Sequence, residues 1–119
     1  MDHNFLKERT KSFALNIIRL VESLPKGRAA DVIARQLIDA GTSVGANYRA
    51  ACRARSPSDF ISKMGIVEEE TDETIYWMEL LVEAGLVNQN VISDLSEEAN
   101  QILAMTVSSI KTARRKSKK

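Results

Sequence analysis

The chain has 119 residues, of which 44% are hydrophobic and 28% are charged, with two prolines, one cysteine and a formal net charge of +1. This length suits one domain, and this balance excludes an intrinsically disordered chain. The lone Cys52 excludes an internal disulfide, and no apolar run approaches the ~20 residues that span a bilayer. The N-terminal residues carry no leader-like apolar run before a cleavage site. We expect a soluble, cytoplasmic protein with no membrane partner.

The first predicted helix covers residues 4–24 and ends before Pro25. Its apolar residues recur at spacings of three, four or seven, which is typical of a helix with one buried face. They are Leu6, Phe13, Ile17, Val21 and Leu24, widened by Ala14 and Ile18.

The second predicted helix covers residues 28–54, with an apolar stripe at Ile33, Leu37, Val44, Tyr48 and Ala51. Gly41 and Gly45 lie in its interior, where each costs about 1 kcal/mol relative to alanine. The close approach of a neighbouring element would offset that cost. We therefore expect this helix to be the buried or the oligomer-facing member of the set.

The third predicted helix covers residues 57–84. Ser56 is placed to cap it, Pro57 suits its first position, and Gly85 suits the left-handed turn that ends it. Its core-facing residues are predicted to be Phe60, Met64, Val67, Thr71, Thr74, Met78 and Leu81.

The fourth predicted helix covers residues 89–112, and the basic residues 113–119 are expected to be disordered. Its apolar positions are Val91, Ile92, Leu95, Ala99, Ile102, Met105, Val107 and Ile110. Short connections between long helices make sequence neighbours antiparallel. The sequence predicts an all-α, antiparallel up-and-down four-helix bundle over residues 1–112.

Charge is segregated along the chain. Residues 1–63 have a net charge of +5, residues 64–110 carry ten acids and no base, and residues 111–119 add six bases. Such asymmetry indicates an electrostatic partner, either another subunit or a polyanion.

Enzymatic chemistry lacks its usual residues. The di-metal sites of helical bundles need Glu-x-x-His pairs, but the only histidine is His3, far from Glu70 and Glu73 in sequence. Cys52 likewise has no neighbouring histidine that could activate it. We expect no catalytic residues, no cofactor and no metal.

One region of the sequence combines residues that are unusual in the interior of helices. It consists of T42-SVGANYRAACRAR-S56, followed by Asp59–Lys63 and by E70-TDETIYWMEL-L81. Over about residues 5–110 the chain resembles the four-helix-bundle family of proteins encoded in intervening sequences of bacterial 23S rRNA genes. Glu69 departs from that pattern, since many relatives carry lysine there.

The resemblance extends to the accessory variability protein of diversity-generating retroelements. It implies a small bundle that assembles as a homopentameric ring and engages nucleic acid and a protein partner such as a reverse transcriptase. RNA or ribosome association is an expectation of the same kind. The residues do not distinguish RNA from DNA.

Seven lysines and arginines are candidates for nucleic-acid binding, because arginine suits planar, bidentate contacts to phosphate or carboxylate. The candidates are Arg49, Arg53, Arg55, Lys111, Arg114, Arg115 and Lys116. For the three arginines, the alternative is pairing with acids of the third helix, within the subunit or across an interface.

A polar network is also predicted. Folding the second helix onto the third brings position 43 opposite roughly position 70, so Ser43 and Asn47 are predicted to join Glu70 and Glu73 in fixing helix register. The functional expectation is a non-enzymatic oligomeric scaffold that binds RNA or DNA backbone through the second helix and the basic C-terminal residues. The alternative is a protein-interaction module whose charge segregation serves self-association and partner docking.

Overall fold

Four helices account for most of residues 3–118, the part of the chain that the computed structural model describes. They are α1 (His3–Glu22), α2 (Arg28–Cys52), α3 (Pro57–Glu83) and α4 (Gln89–Ser117). They form an antiparallel up-and-down bundle of 52 × 20 × 20 Å in which consecutive helices pack together. The predicted all-α four-helix architecture is confirmed.

The ends of α3 follow their local sequence. The Ser56 hydroxyl accepts a hydrogen bond from the backbone N–H of Asp59 at 3.0 Å, and Pro57 occupies the first helical position. At the other end Gly85 adopts a φ of 74°, and the N–H of Leu86 donates to the carbonyl of Leu81 at 2.9 Å. This is the hydrogen bond that closes a left-handed helix C-terminus. The predicted start and stop signals are both confirmed.

The helix α4 is longer than predicted. It continues through Ser117, so the expectation of disorder from residue 113 is wrong for residues 113–117. Arginine and lysine are good helix formers, and their charges interact favourably with the negative end of the helix dipole. Half-buried Ala113 also packs against the bundle. Lys118 caps the helix, and Lys119 lies outside the described residues.

The core follows the predicted stripes with two corrections. Ile18 and Val91 remain 36% and 57% exposed, because Leu20 and Ile92 occupy the core-facing positions next to them.

Four buried threonines complete the core. Each donates its hydroxyl hydrogen to the carbonyl four residues earlier, at 2.7–2.8 Å, so burial leaves no hydroxyl unsatisfied. They are Thr10, Thr71, Thr74 and Thr106, and the apolar period misses the first and the last.

The helices α1 and α2 approach closely at the two glycines of α2. A Cβ atom on Gly41 would lie 2.8 Å from Cγ1 of Ile17, and one on Gly45 would lie 3.2 Å from Oγ1 of Thr10. The absence of these side chains lets Ile17 and Thr10 pack directly onto the α2 backbone. The predicted close approach is confirmed.

The seam between α1 and α4 is the loosest of the four. One side chain bridges it: the Arg9 guanidinium donates to the Glu98 carboxylate at 2.8 Å and to Oε1 of Gln101 at 2.6 Å. It also lies 5.5 Å from the centroid of the Phe5 ring. The hydrogen bond to Glu98 raises the pKa of Arg9 above its usual value. Arg9 therefore fastens α1 to α4.

Two glycine-to-alanine substitutions should shift stability in opposite directions. Gly65→Ala adds a methyl group where nothing lies within 4 Å, and should stabilise the protein by about 0.5–1 kcal/mol. Gly41→Ala brings the methyl against buried Ile17 and should destabilise it by about 1–2 kcal/mol, because overpacking outweighs helix propensity. Urea unfolding of the two variants measures both changes. A stabilised Gly41→Ala would show that the α1–α2 approach is not close.

Candidate nucleic-acid interface

The antiparallel fold sorts the charges into two halves of the bundle. Residues 3–12, 43–67 and 99–118 form what we call the basic half, which contains twelve lysines and arginines and two acids. Residues 13–42 and 68–98 form the acidic half, which contains four bases and thirteen acids. The net charges of the described residues are therefore +10 and −9. The bundle is strongly dipolar along its 52 Å axis.

Contacts between helices fix the border between these halves. Thr10 lies against Gly45 across α1 and α2, and Arg9 is bonded to Glu98 across α1 and α4. Asp39 of α2 is close enough to raise the pKa of Glu70 on α3. The N-terminus of α1, the C-terminus of α2, the N-terminus of α3 and the C-terminus of α4 thus meet at the basic end.

Arg49 lies where α2 packs against the start of α1. It lines a shallow groove with Lys7, Glu8 and Lys11 of α1, and the groove has a volume of about 440 Å³. Three cations and one carboxylate therefore face the same solvent-filled depression. Arg49 is exposed, so its guanidinium is available to an anion in this groove.

Arg53 and Arg55 lie at the turn from α2 to α3. Together with Asp59 and Lys63 they line an open depression of about 450 Å³, which we call the arginine notch. Asp59 accepts from Lys63 Nζ at 2.7 Å and from the backbone N–H of Arg55 at 3.3 Å. The hydrogen bond from Lys63 contributes most to lowering the pKa of Asp59. The notch keeps a positive balance, since one carboxylate faces three cations.

Within residues 3–118 none of these arginines forms a side-chain ion pair, although the charge of Arg55 helps to lower the pKa of Asp59. Within residues 3–118 the side-chain ion pairs are Arg9–Glu98 and Lys63–Asp59. Neither includes Arg49, Arg53 or Arg55. The three guanidiniums face solvent, and pairing across an interface stays untested.

The last two turns of α4 add a third set of cations to the same end. Lys111, Arg114, Arg115 and Lys116 are all exposed on a helix rather than on a disordered tail. A helical frame fixes their spacing, so that Lys111 and Arg115 share a face. The sequence-predicted binding residues of α2 and α4 thus converge on one end of the bundle.

The bundle end also contains a cleft between α4 and the starts of α1 and α3. Its two lobes, of about 340 and 380 Å³, share His3, Phe60, Ala113 and Lys116, and we call the two lobes together the end cleft. The ring of His3 meets the ring of Tyr48 edge-on, with centroids 6.4 Å apart. Aromatic and small apolar side chains form much of the lining, and Lys116 supplies its cation.

The predicted polar network forms differently. The Ser43 hydroxyl donates to the Asp39 carbonyl at 2.6 Å, and Asn47 Nδ2 donates to the Ser43 carbonyl at 2.9 Å. Glu73 accepts from Trp77 Nε1 at 3.1 Å. The predicted link from Ser43 to Glu70 is therefore wrong, because serine in a helix finds its nearest acceptor in its own preceding turn. Glu70 instead lies partly buried among carboxylates.

The described residues contain no group of three or more His, Cys, Asp or Glu side chains arranged to hold a metal ion. No helix among them is long and apolar enough to span a membrane. Cys52 is half-buried and lines one lobe of the end cleft.

Comparison with protein-family profiles matches residues 4–108 to the family described as 23S rRNA-intervening sequence protein. The chain belongs to this family. A crystal structure at 1.70 Å of a protein of unknown function from the S23 ribosomal protein family of Bacteroides thetaiotaomicron VPI-5482 is similar in fold. The two are 33% identical with a TM-score of 0.86, over 93% of this chain and 99% of the other. A search of curated proteins found no match.

Membership of the 23S rRNA-intervening sequence protein family divides the candidate residues into two groups. Arg49, Arg53 and Arg55 lie inside the matched span, whereas Lys111 and the cations after it lie beyond residue 108. Arg49 of α2 and the two arginines of the α2–α3 turn therefore lie in the part of the chain that the family shares. The resemblance drawn from the sequence is confirmed.

Some residues of the basic half were not expected from the sequence. Lys7, Lys11 and Lys63 flank the candidate arginines, and His3 borders the end cleft. Their positions in the sequence could have identified them. Each lies within about ten residues of a helix end, and the antiparallel topology brings these helix ends together. Locating them needed the register of neighbouring helices, which sequence periodicity does not supply.

Glu70 gives a pH-dependent test of this arrangement. Desolvation first, and then the charges of Glu73, Glu69 and Asp39, raise its pKa above the usual 4.5. A raised carboxyl pKa destabilises the folded state at pH 7, and the penalty disappears as pH falls through the folded-state value. Glu70→Gln should therefore stabilise the protein at pH 7 by an amount that shrinks on acidification to about pH 4.

Urea unfolding at pH 7 and pH 4 measures the effect. Asp72→Asn is the matched control, because Asp72 is exposed on the same helix and does not contribute to the raised pKa. Equal effects of the two substitutions at both pH values would contradict the placement of Glu70 among the other carboxylates.

Proposed function

We propose that this protein is a non-enzymatic scaffold that binds the phosphate backbone of a nucleic acid through its basic half. The observation that carries the proposal is the convergence of twelve lysines and arginines, against two acids, at one end of the bundle. Neutralising phosphates with such side chains releases condensed counterions, which drives sequence-independent binding.

The geometry of the basic half favours an extended polyanion over a small anion. Cations lie in the groove at Arg49, in the arginine notch and along the end of α4. These positions surround an end of a bundle about 20 Å across, so several successive phosphates can be contacted at once. The same arrangement disfavours binding along the acidic half, which repels phosphate.

RNA is the first partner to test. The name of the family refers to 23S rRNA, and the related crystal structure comes from the S23 ribosomal protein family. Backbone contacts through arginine and lysine do not themselves distinguish RNA from DNA. Structured RNA and duplex DNA should therefore be compared side by side.

Replacing two arginines of the basic half should weaken binding and its salt dependence. Arg49→Ala combined with Arg53→Ala removes two phosphate contacts, so the slope of log Kobs against log salt should become shallower by about 1–2. The matched control is Arg28→Ala with Arg35→Ala, which removes the same charge from exposed positions in the acidic half of the same helix. Fluorescence anisotropy with labelled RNA over a salt series measures both slopes.

If the control pair lowered the affinity and the slope as much as the test pair, binding would follow net charge rather than the basic half. Absence of binding at low salt to both RNA and DNA would overturn the proposal. The double variant Arg114→Ala with Arg115→Ala reports separately on the end of α4. Loss of binding in that variant alone would move the interface from α2 to α4.

Self-association is a second candidate property, and a specific surface favours it. Asp39 of α2 lies close to Glu70 of α3. Val32 comes seven residues before Asp39 and Trp77 comes seven residues after Glu70. Because α2 and α3 are antiparallel, Val32 and Trp77 lie at the same level of the bundle. Val32 is 50% exposed and Tyr76 is 52% exposed. We propose that Val32 of α2 and Tyr76 of α3, which we call the apolar face, contact a second copy of the chain.

A closed ring about an axis parallel to the helices would place every basic half on the same face. Nucleic acid would then meet several basic halves at once, and the affinities would reinforce one another. Five copies, as the family resemblance implies, would have a mass of about 66 kDa from the 13.2 kDa chain. The acidic half, turned away from the nucleic acid, would be free to dock a protein partner such as a reverse transcriptase.

Assembly should depend on the apolar face. The wild-type chain should give a native mass that is a multiple of 13.2 kDa, and Val32→Ser with Tyr76→Ser should shift it to the monomer. Val91→Ser is the matched control, since Val91 is 57% exposed on α4 away from this face. Light scattering after size exclusion measures the mass. A wild-type monomer would exclude the ring.

A further inference from the structure

The end cleft differs from the rest of the basic half in its lining. The groove at Arg49 and the arginine notch are lined mostly by polar and charged residues, which suit phosphate. In the end cleft about half of the lining residues are apolar or aromatic, among them Phe60, Ala51, Ala54, Ala113 and the buried Tyr48. Backbone binding alone does not require an apolar cleft at this position.

The size of the cleft suits one planar ring system. Its lobes of about 340 and 380 Å³ lie at the lower end of the range for small-molecule sites. Small side chains keep it open: Ala51 and Ala54 on the α2 side and Ala113 on the α4 side, with Phe60 between them at the start of α3. A larger side chain at half-buried Ala113, which borders both lobes, would reduce the space in each of them.

Polar groups also line the cleft. Lys116 is exposed, and Ser108, Ser109 and Thr112 line the second lobe. Hydroxyl groups of this kind can exchange hydrogen bonds with the edge of a base, and an ammonium group can pair with its phosphate. The Phe60 ring, the hydroxyl groups and the Lys116 cation that line the cleft together match the base face, the base edge and the phosphate of a nucleotide.

We propose that the end cleft holds one unstacked base of a single-stranded nucleic acid, stacked on Phe60, with the adjoining phosphate at Lys116. This proposal rests on the proposed function, since the neighbouring cations bring the strand to the cleft. It names single-stranded nucleic acid as the ligand class, because a base that is paired inside a duplex cannot enter the end cleft. The site is not sequence-specific, since every base offers a face for stacking.

Affinities for three probes of equal length test the proposal: a single-stranded oligonucleotide, its abasic sugar–phosphate counterpart and the corresponding duplex. Stacking of one base is worth about 1–3 kcal/mol, so the single strand should bind about tenfold more tightly than the abasic probe. Ala113→Leu fills the cleft without changing charge and should abolish this advantage. Ala104→Leu makes the same change on the exposed face of α4 and should preserve it.

The single cysteine provides a second readout at the cleft itself. Cys52 lines one lobe and is the only thiol in the chain. The single strand should slow its alkylation by a neutral maleimide at saturating probe, whereas the abasic probe should not. This measurement does not depend on Ala113→Leu being well folded.

The outcomes separate the two proposals. Equal affinities for the single-stranded and abasic probes, with equal alkylation rates, would overturn the end cleft and leave backbone binding intact. Binding of no probe at low salt would overturn the proposed function and the end cleft with it. An advantage of the single strand that survives in Ala113→Leu would place the base elsewhere and overturn the assignment.

Discussion

Short connections between long helices are the constraint on which the rest of this structure depends. The chain crosses between helices in four to five residues, so each helix must run back along its predecessor. The C-terminus of one helix and the N-terminus of another, although distant in sequence, then become neighbours in space. Residues near 8, 50, 60 and 114 meet at one end only because the chain reverses three times. Charge segregation along the chain becomes a dipole along the bundle for the same reason.

Close packing of α1 on α2 sets the register that makes this sorting sharp. Gly41 and Gly45 admit Ile17 and Thr10, which fixes how far α1 extends beside α2. The α1–α4 seam has no comparable pair of glycines and relies on the Arg9 hydrogen bonds to Glu98 and Gln101. Helix α1 therefore packs closely on α2 and is fastened to α4 by the polar contacts of Arg9. The groove at Arg49 lies at the α1–α2 seam, and the end cleft brings His3 of α1 together with residues of α4.

Sequence periodicity predicted the four helices, the Ser56 cap and the Gly85 terminator, because these depend on residues close together in the chain. It missed Thr10 and Thr106, since a threonine that bonds its own helix can be buried like an apolar residue. It also placed the end of α4 too early, because a basic sequence suits both a frayed end and a helix C-terminus. The predicted Ser43–Glu70 link failed because a local carbonyl competes better than a distant carboxylate.

The candidate site was only partly accessible to the same reasoning. Arg49, Arg53 and Arg55 could be chosen as candidates from their residue type. Side-chain positions were needed to show that none of them forms an ion pair within residues 3–118. The linear charge blocks also differ from the spatial halves, since Arg28 and Arg35 belong to a basic segment yet lie in the acidic half. The end cleft is formed by residues from all four helices, so no single segment predicts it.

We propose that the basic half, rather than the chain's overall charge, forms the functional surface. Amide chemical-shift mapping during titration with a short RNA at low salt tests this proposal most directly. The perturbations should be concentrated in residues 3–12, 43–67 and 99–118, with Glu79 and its neighbours on α3 unchanged. Perturbations spread evenly over both halves, or concentrated in residues 68–98, would contradict it.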